Sequence, residues 1–217
     1  MKKFFMFLLG IMLMFGMASC DPKNSKKNLE AVDTTEVVED SIAALNVEHL
    51  VAMDRQDMYL NHNKDYRWYE TCIDLVDFMD EDCDGTIAGV ANVFQAVEDY
   101  GDGSFDTYVV LFAHANNGNN SKEIKHGFWV EDFPMNDDEI KVTFEEAFQK
   151  INEVNLPKPH SKHCVLRKQI GPKACNPQYI FGNTHAQIYV DAVTGAVSKD
   201  NPAFGGLNLG CPLGEWP

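Results

Sequence analysis

The chain has 217 residues, enough for one large domain or two small ones. Its 33 Asp and Glu against 18 Lys and Arg give a formal net charge of −15. That balance argues against nucleic acid as a partner, because phosphates are held by Lys and Arg. No nucleophile elbow, zinc-protease motif, phosphate loop, dinucleotide fingerprint or Cys-x-x-Cys occurs. The chain therefore reads as non-catalytic, with no required cofactor.

In chain order, Lys2 and Lys3 precede an apolar run, Phe4 to Met17, interrupted only by Gly10 and Gly16. The run is shorter than the roughly 20 residues a spanning helix needs and reads as an export signal over residues 1–19. Met17-Ala18-Ser19-Cys20 resembles the lipobox of bacterial lipoproteins, although Met stands where Leu is usual. The resemblance implies that Cys20 is lipidated and that the protein is membrane-anchored in the bacterial cell envelope, facing the periplasm or the surface. Each buried acyl methylene contributes about 0.8 kcal/mol to such an anchor. Residues 20–44 then hold the lipidated cysteine and a flexible tether. Asp21 to Ser41 is polar and carries no helical stripe.

Residues 45–140 form the first folded half. Leu50, Met53, Met58 and Tyr59 fall near helical spacing and predict a helix from Val47 to Asn61. Arg67 to Ile73 reads as a strand, finishing in a helical turn around Leu75, Phe78 and Met79. Further strands are predicted at Thr86–Val97, Thr107–Ala115 and Glu123–Phe133, the last two joined by the hairpin connection Asn116–Ser121. The second half, 141–204, opens on a capping box at Thr143 and Glu146. Phe144, Ala147, Phe148, Ile151 and Val154 follow as one apolar stripe, ended by Pro157 and Pro159. Strands are predicted at Val165–Gln169, Tyr179–Gly182, Gln187–Ala192 and Ala196–Ser198. Residues 205–217 are a Gly- and Pro-rich tail. The class is α+β, with a helix followed by antiparallel sheet in each of two similar halves in tandem.

Tyr189-Val190-Asp191-Ala192, followed by Thr194, Gly195 and Val197, resembles the hallmark hairpin of the PepSY domain. The resemblance covers about residues 141–200, and the element order of the first half suits a tandem PepSY-like arrangement. It implies a peptidase-inhibitor-like or other binding module at the envelope, engaging a protein or peptide, with no catalytic residues.

Other clusters compete for attention. Asp80, Asp82 and Asp84, with the carbonyl of Thr86, occupy positions 1, 3, 5 and 7 of a calcium loop. The bidentate Glu expected at position 12 is Ala91, so a polar Asp-Gly turn is the plainer reading. The alternative this loop keeps open is a calcium-dependent structural or adhesive envelope lipoprotein. Besides Cys20, five cysteines remain: Cys72, Cys83, Cys164, Cys175 and Cys211. Sequence leaves their connectivity open. The expected disulfides are Cys72–Cys83 and Cys164–Cys175, each closing a short loop, with reduced buried thiols as the alternative. His160, His163, Cys164 and Cys175 carry zinc-type donors at spacings that depart from the paired forms. Trp68, Tyr69, Phe128 and Trp129 are expected in the core and on the sheet face.

Overall fold

The structure, a computed structural model, describes residues 44–80 and 82–204. The predicted signal and tether, Cys20, Cys211 and the tail from 205 lie outside them. Helix α1 (Val47–Asn61) starts where the Asn46 side chain accepts the His49 backbone N–H at 2.8 Å. Strands β1 (Arg67–Leu75), β2 (Ile87–Asp99), β3 (Phe105–Ala115), β4 (Asn120–His126) and β5 (Asp132–Phe133) follow. Helix α2 (Phe144–Glu153) then leads to β6 (His163–Gln169), β7 (Gln178–Gly182), β8 (Gln187–Asp191) and β9 (Val197–Ser198). All pairings are antiparallel. The strand order is β4-β3-β2-β1-β6-β7-β8-β9, with β5 pairing to β6 off that path. The α+β expectation of helix followed by antiparallel sheet is met.

Both helices bury their apolar sides in one continuous core. Val47, Leu50, Val51 and Met58 of α1 share it with Phe144, Ala147, Phe148 and Ile151 of α2. The capping box forms as predicted: the Thr143 hydroxyl accepts the Glu146 N–H, and Glu146 Oε2 accepts the Thr143 N–H at 2.9 Å. Val154 falls outside the helix as its C-cap. Phe144 meets the rings of Tyr179 and Phe181 with centroids 6.3 and 6.0 Å away.

Two sequence expectations need correcting. No helical turn follows Ile73: β1 runs on to Leu75, whose N–H donates to the Lys162 carbonyl at 2.7 Å. Met79 is still buried, its N–H held by the Ser161 carbonyl at 2.9 Å. The predicted strand Glu123–Phe133 is two strands. β4 stops at His126, Gly127 turns with φ +131°, and the Trp129 N–H donates to the Gln95 side chain at 2.7 Å. The chain thereby leaves the β4 edge and returns to the sheet as β5, beside β6.

A bulge between Trp68 and Glu70 decides what β1 shows to each face. With strict alternation Trp68 and Thr71 would face opposite ways. The extra residue turns Trp68 to the helix side, where its Nε1–H reaches Thr71 Oγ1 at 3.1 Å.

Candidate functional site

With both helices on one side, the sheet's other face is built from alternate strand residues. Leu166 and Cys164 point into the core, so Val165, Arg167 and Gln169 point away from it. Glu70 and Cys72 of β1, Ile180 of β7 and Tyr189 of β8 share that face. Val165, Ile180 and Tyr189 form a small buried cluster there, with Cys72 packed against it.

Beside this cluster stands a charged group. Arg167 Nη1 lies 3.6 Å from Glu70 Oε2, and its Nε lies 3.6 Å from Asp132 Oδ1. Trp129 Nε1–H donates to Asp132 Oδ2 at 3.4 Å. Burial pushes the Asp132 carboxyl up to about 7; Arg167 opposes this, and the charge and hydrogen bond of Glu70 add to it. Two carboxyls thus face one guanidinium, and at Asp132 burial outweighs its attraction. The Cys72 thiol donates to Glu70 Oε1 at 3.1 Å, and burial beside that carboxylate pushes its pKa well up. It is a poor nucleophile.

Among the described residues, five buried side-chain polar atoms have no hydrogen-bond partner. Three of them, Asp132 Oδ1, Arg167 Nε and Gln169 Oε1, meet on this face where β5 joins β6. Asp132 Oδ1 and Arg167 Nε face each other as an ion pair at 3.6 Å, beyond hydrogen-bond distance, whereas Gln169 Oε1 has no partner among the described residues; a buried polar group without a hydrogen bond costs about 1–3 kcal/mol. The other two, Arg55 Nη1 and His62 Nε2, belong to α1 and its C-cap, while deeper on the helix side Asp54, Thr71, Asn92 and His114 form a linked chain. Asn92 donates to Asp54 and accepts from Thr71, both at 2.6 Å, and His114 Nε2 lies 3.0 Å from both Asp54 oxygens. That chain ties α1 to three strands.

The sequence-singled residues fall elsewhere. In the acidic loop Asp80 accepts the Asp82 N–H and Asp84 accepts the Thr86 N–H, so both carboxylates form Asx turns. Hydrogen bonds from Thr86 hold the Asp84 carboxyl below its usual range. The Thr86 carbonyl, the expected calcium ligand, accepts the Val76 N–H at 2.9 Å. Among the described residues no group of three or more His, Cys, Asp or Glu is gathered to hold a metal. The expected Cys72–Cys83 and Cys164–Cys175 bridges are not formed, and all four are free thiols. Cys72 lies on the helix-free face and Cys83 in the helix-side core; Cys164 is fully buried in that core. His160 stacks on Phe78 with centroids 4.2 Å apart, and His163 Nδ1 pairs with Asp74 at 3.0 Å. Trp68 and Tyr69 are buried, whereas Phe128 is exposed.

Sequence reading missed Glu70, Asp132 and Arg167. The strands that carry Glu70 and Arg167 hold other charges as well, Asp74 on β1 and Lys168 on β6, so neither residue stood out. Their mutual approach depends on a crossing of the chain that no local pattern encodes. Comparison of the chain with family models, curated proteins and solved structures finds no match.

Proposed function

We propose that the protein is a lipid-anchored, non-catalytic module of the bacterial cell envelope that binds a protein or peptide on the helix-free face of its sheet. The observation that carries this reading is the placement of both helices in one core, which leaves the β2–β3 end of the opposite face exposed. At the β2–β3 end of that face Val97 and Phe105 are diagonal neighbours, 40% and 67% exposed. Contiguous exposed apolar surface is where a protein or peptide partner would gain most from burial.

The element order supports a tandem PepSY-like arrangement. Helix and strands α1-β1-β2-β3-β4 are followed by α2-β6-β7-β8-β9, and the first strand of each series pairs with the other. The Tyr189 to Val197 segment has the chemistry such a hairpin needs. Asp191 Oδ1 accepts the Val193 and Thr194 N–H groups at 2.9 Å, and Gly195 turns with φ +72°. Cys20 would tether the module to the membrane.

The test is co-purification from envelope membranes with the wild-type chain and with Val97→Asp/Phe105→Asp. A partner retained by the wild type and lost at least tenfold by the variant supports the reading. Equal retention by both, or turnover of an envelope polymer by the purified protein, overturns it. Cys20→Ala should move the protein from the membrane to the soluble fraction.

A further inference from the structure

The sheet ends on one side at β9, which is two residues long, and on the other at β4, which runs for seven. The ladder fixes which way each backbone group of β4 points. The Ala115 N–H donates to the Asn119 carbonyl, and the Gly127 N–H donates to the Thr107 carbonyl at 2.7 Å. Both bonds continue the β3–β4 register, so the odd-numbered residues of β4 turn their backbone groups to β3. The bond from the Asn116 N–H to the Ala88 carbonyl shows the complementary alternation of β3 toward β2. Asn120, Lys122, Ile124 and His126 therefore point N–H and C=O outward. Among the described residues no backbone group pairs with them.

Such an edge is a template for another strand unless a bulge, a proline or free charges guard it. β4 pairs with β3 without a register shift and contains no proline. Its lysines are engaged within the chain, Lys122 Nζ by Asp57 of α1 and Lys125 Nζ by Glu123 at 3.0 Å. Ile124 stands between them, 51% exposed.

The charges say which strand fits. Two copies meeting antiparallel about a twofold axis set even residues opposite even ones, because only those present outward groups. Centring on Lys122, Glu123 or Lys125 brings a charge against its own copy, which is destabilising. Centring on Ile124 sets Glu123 opposite Lys125 of the second copy, and Lys125 opposite its Glu123. We propose that the protein forms a twofold dimer in which two β4 strands pair about Ile124 and join the two sheets into one. Lys122, Ile124 and His126 then each donate and accept a backbone bond across the axis. The Glu123–Lys125 pairs fall at the positions without hydrogen bonds, where facing side chains are closest. Lys122 meets His126 of the second copy, each already held by a carboxylate, Asp57 and Asp106 respectively. The net charge of −15 opposes this contact weakly, since salt screens exposed charges beyond about 10 Å. β4 itself carries two lysines against one glutamate.

Sedimentation velocity tests the dimer on the full chain, in a non-ionic detergent and over a wide range of concentration. The wild type is compared with Glu123→Lys, with Lys125→Glu and with the exchange Glu123→Lys/Lys125→Glu. Each single reversal should weaken dimerisation at least tenfold, and the exchange should restore it. An equal mixture of the two single variants should also dimerise, because each then meets the opposite charge. Recovery in the exchange, which carries both substitutions, separates lost charge pairing from lost folding. Ile124→Pro removes an outward N–H but no bond to β3, so it should leave a folded monomer by circular dichroism. A wild type that stays monomeric at every concentration overturns the proposal. So does association that all the variants share, or failure of both the exchange and the mixture to recover it. Partner loss on Val97→Asp/Phe105→Asp is read by co-purification, so the dimer and the binding function fail separately.

Discussion

Asp132 brings a 1% exposed carboxylate beside Arg167 and Glu70, and desolvation outweighs the guanidinium, raising it to about 7. An acid raised on folding keeps its proton in the native state while the unfolded chain has lost it. Between its ordinary 3.8 and about 7 the unfolded state binds fewer protons, so stability falls as pH rises and levels off above that window. Asp54, raised by burial despite Asn92 and His114, adds a contribution of the same sign. Asp132→Asn keeps the shape and removes the titration. Thermal unfolding from pH 4 to pH 8 should show the wild type losing up to about 4 kcal/mol more than the variant across the window. Parallel curves for the two proteins would mean that the Asp132 carboxyl is not raised on folding. The sequence pattern marked none of Glu70, Arg167 and Asp132, since other charges stand beside them on their strands and loop. The environment of Asp132 is made by residues far from it along the chain.

At the scale of elements, the acidic loop shows how one glycine serves packing. Gly85 has φ +81°, and an added Cβ would lie 2.8 Å from the Phe148 ring of α2. The Asp84-Gly85 turn is thus seated directly on the second helix. Gly85→Ala must strain the backbone and displace Phe148, and urea unfolding should show a loss of about 1–3 kcal/mol. A loss below about 0.5 kcal/mol would mean the turn is not seated there. Both helices and the cores of most strands were legible because periodicity, caps and prolines are local signals. The break at Gly127 was not, since "KHGFWVEDF" is β-prone on both sides of the glycine. What ends β4 there is the capture of Trp129 by Gln95, a contact across strands.

Across the whole molecule, β1 and β6 pair at the middle of one sheet, and both helices share one core. Ile73, 0% exposed on β1, and Leu166, 1% exposed on β6, lie in that core side by side with residues from both series of elements. Neither series can lose its strands without uncovering the other's apolar surface. Unfolding should therefore be a single transition, with Trp fluorescence and far-UV circular dichroism giving coincident curves in urea. Separate midpoints would show that the two series unfold independently.

Sequence alone determined what depends on neighbours in the chain: the α+β class, the position of α1, the capped start and apolar stripe of α2, and the turn at Asp191–Gly195. Tertiary structure decided what depends on which strands lie side by side. It set Trp68 into the core through a bulge, placed Cys72 and Cys83 on opposite sides of the sheet, and turned the acidic loop's carboxylates and the Thr86 carbonyl to backbone amides. It also joined Glu70, Asp132 and Arg167 into one charged group. The physical reason is the same in each case. Periodicity fixes which side of an element is apolar, but strand order and register fix what that side meets.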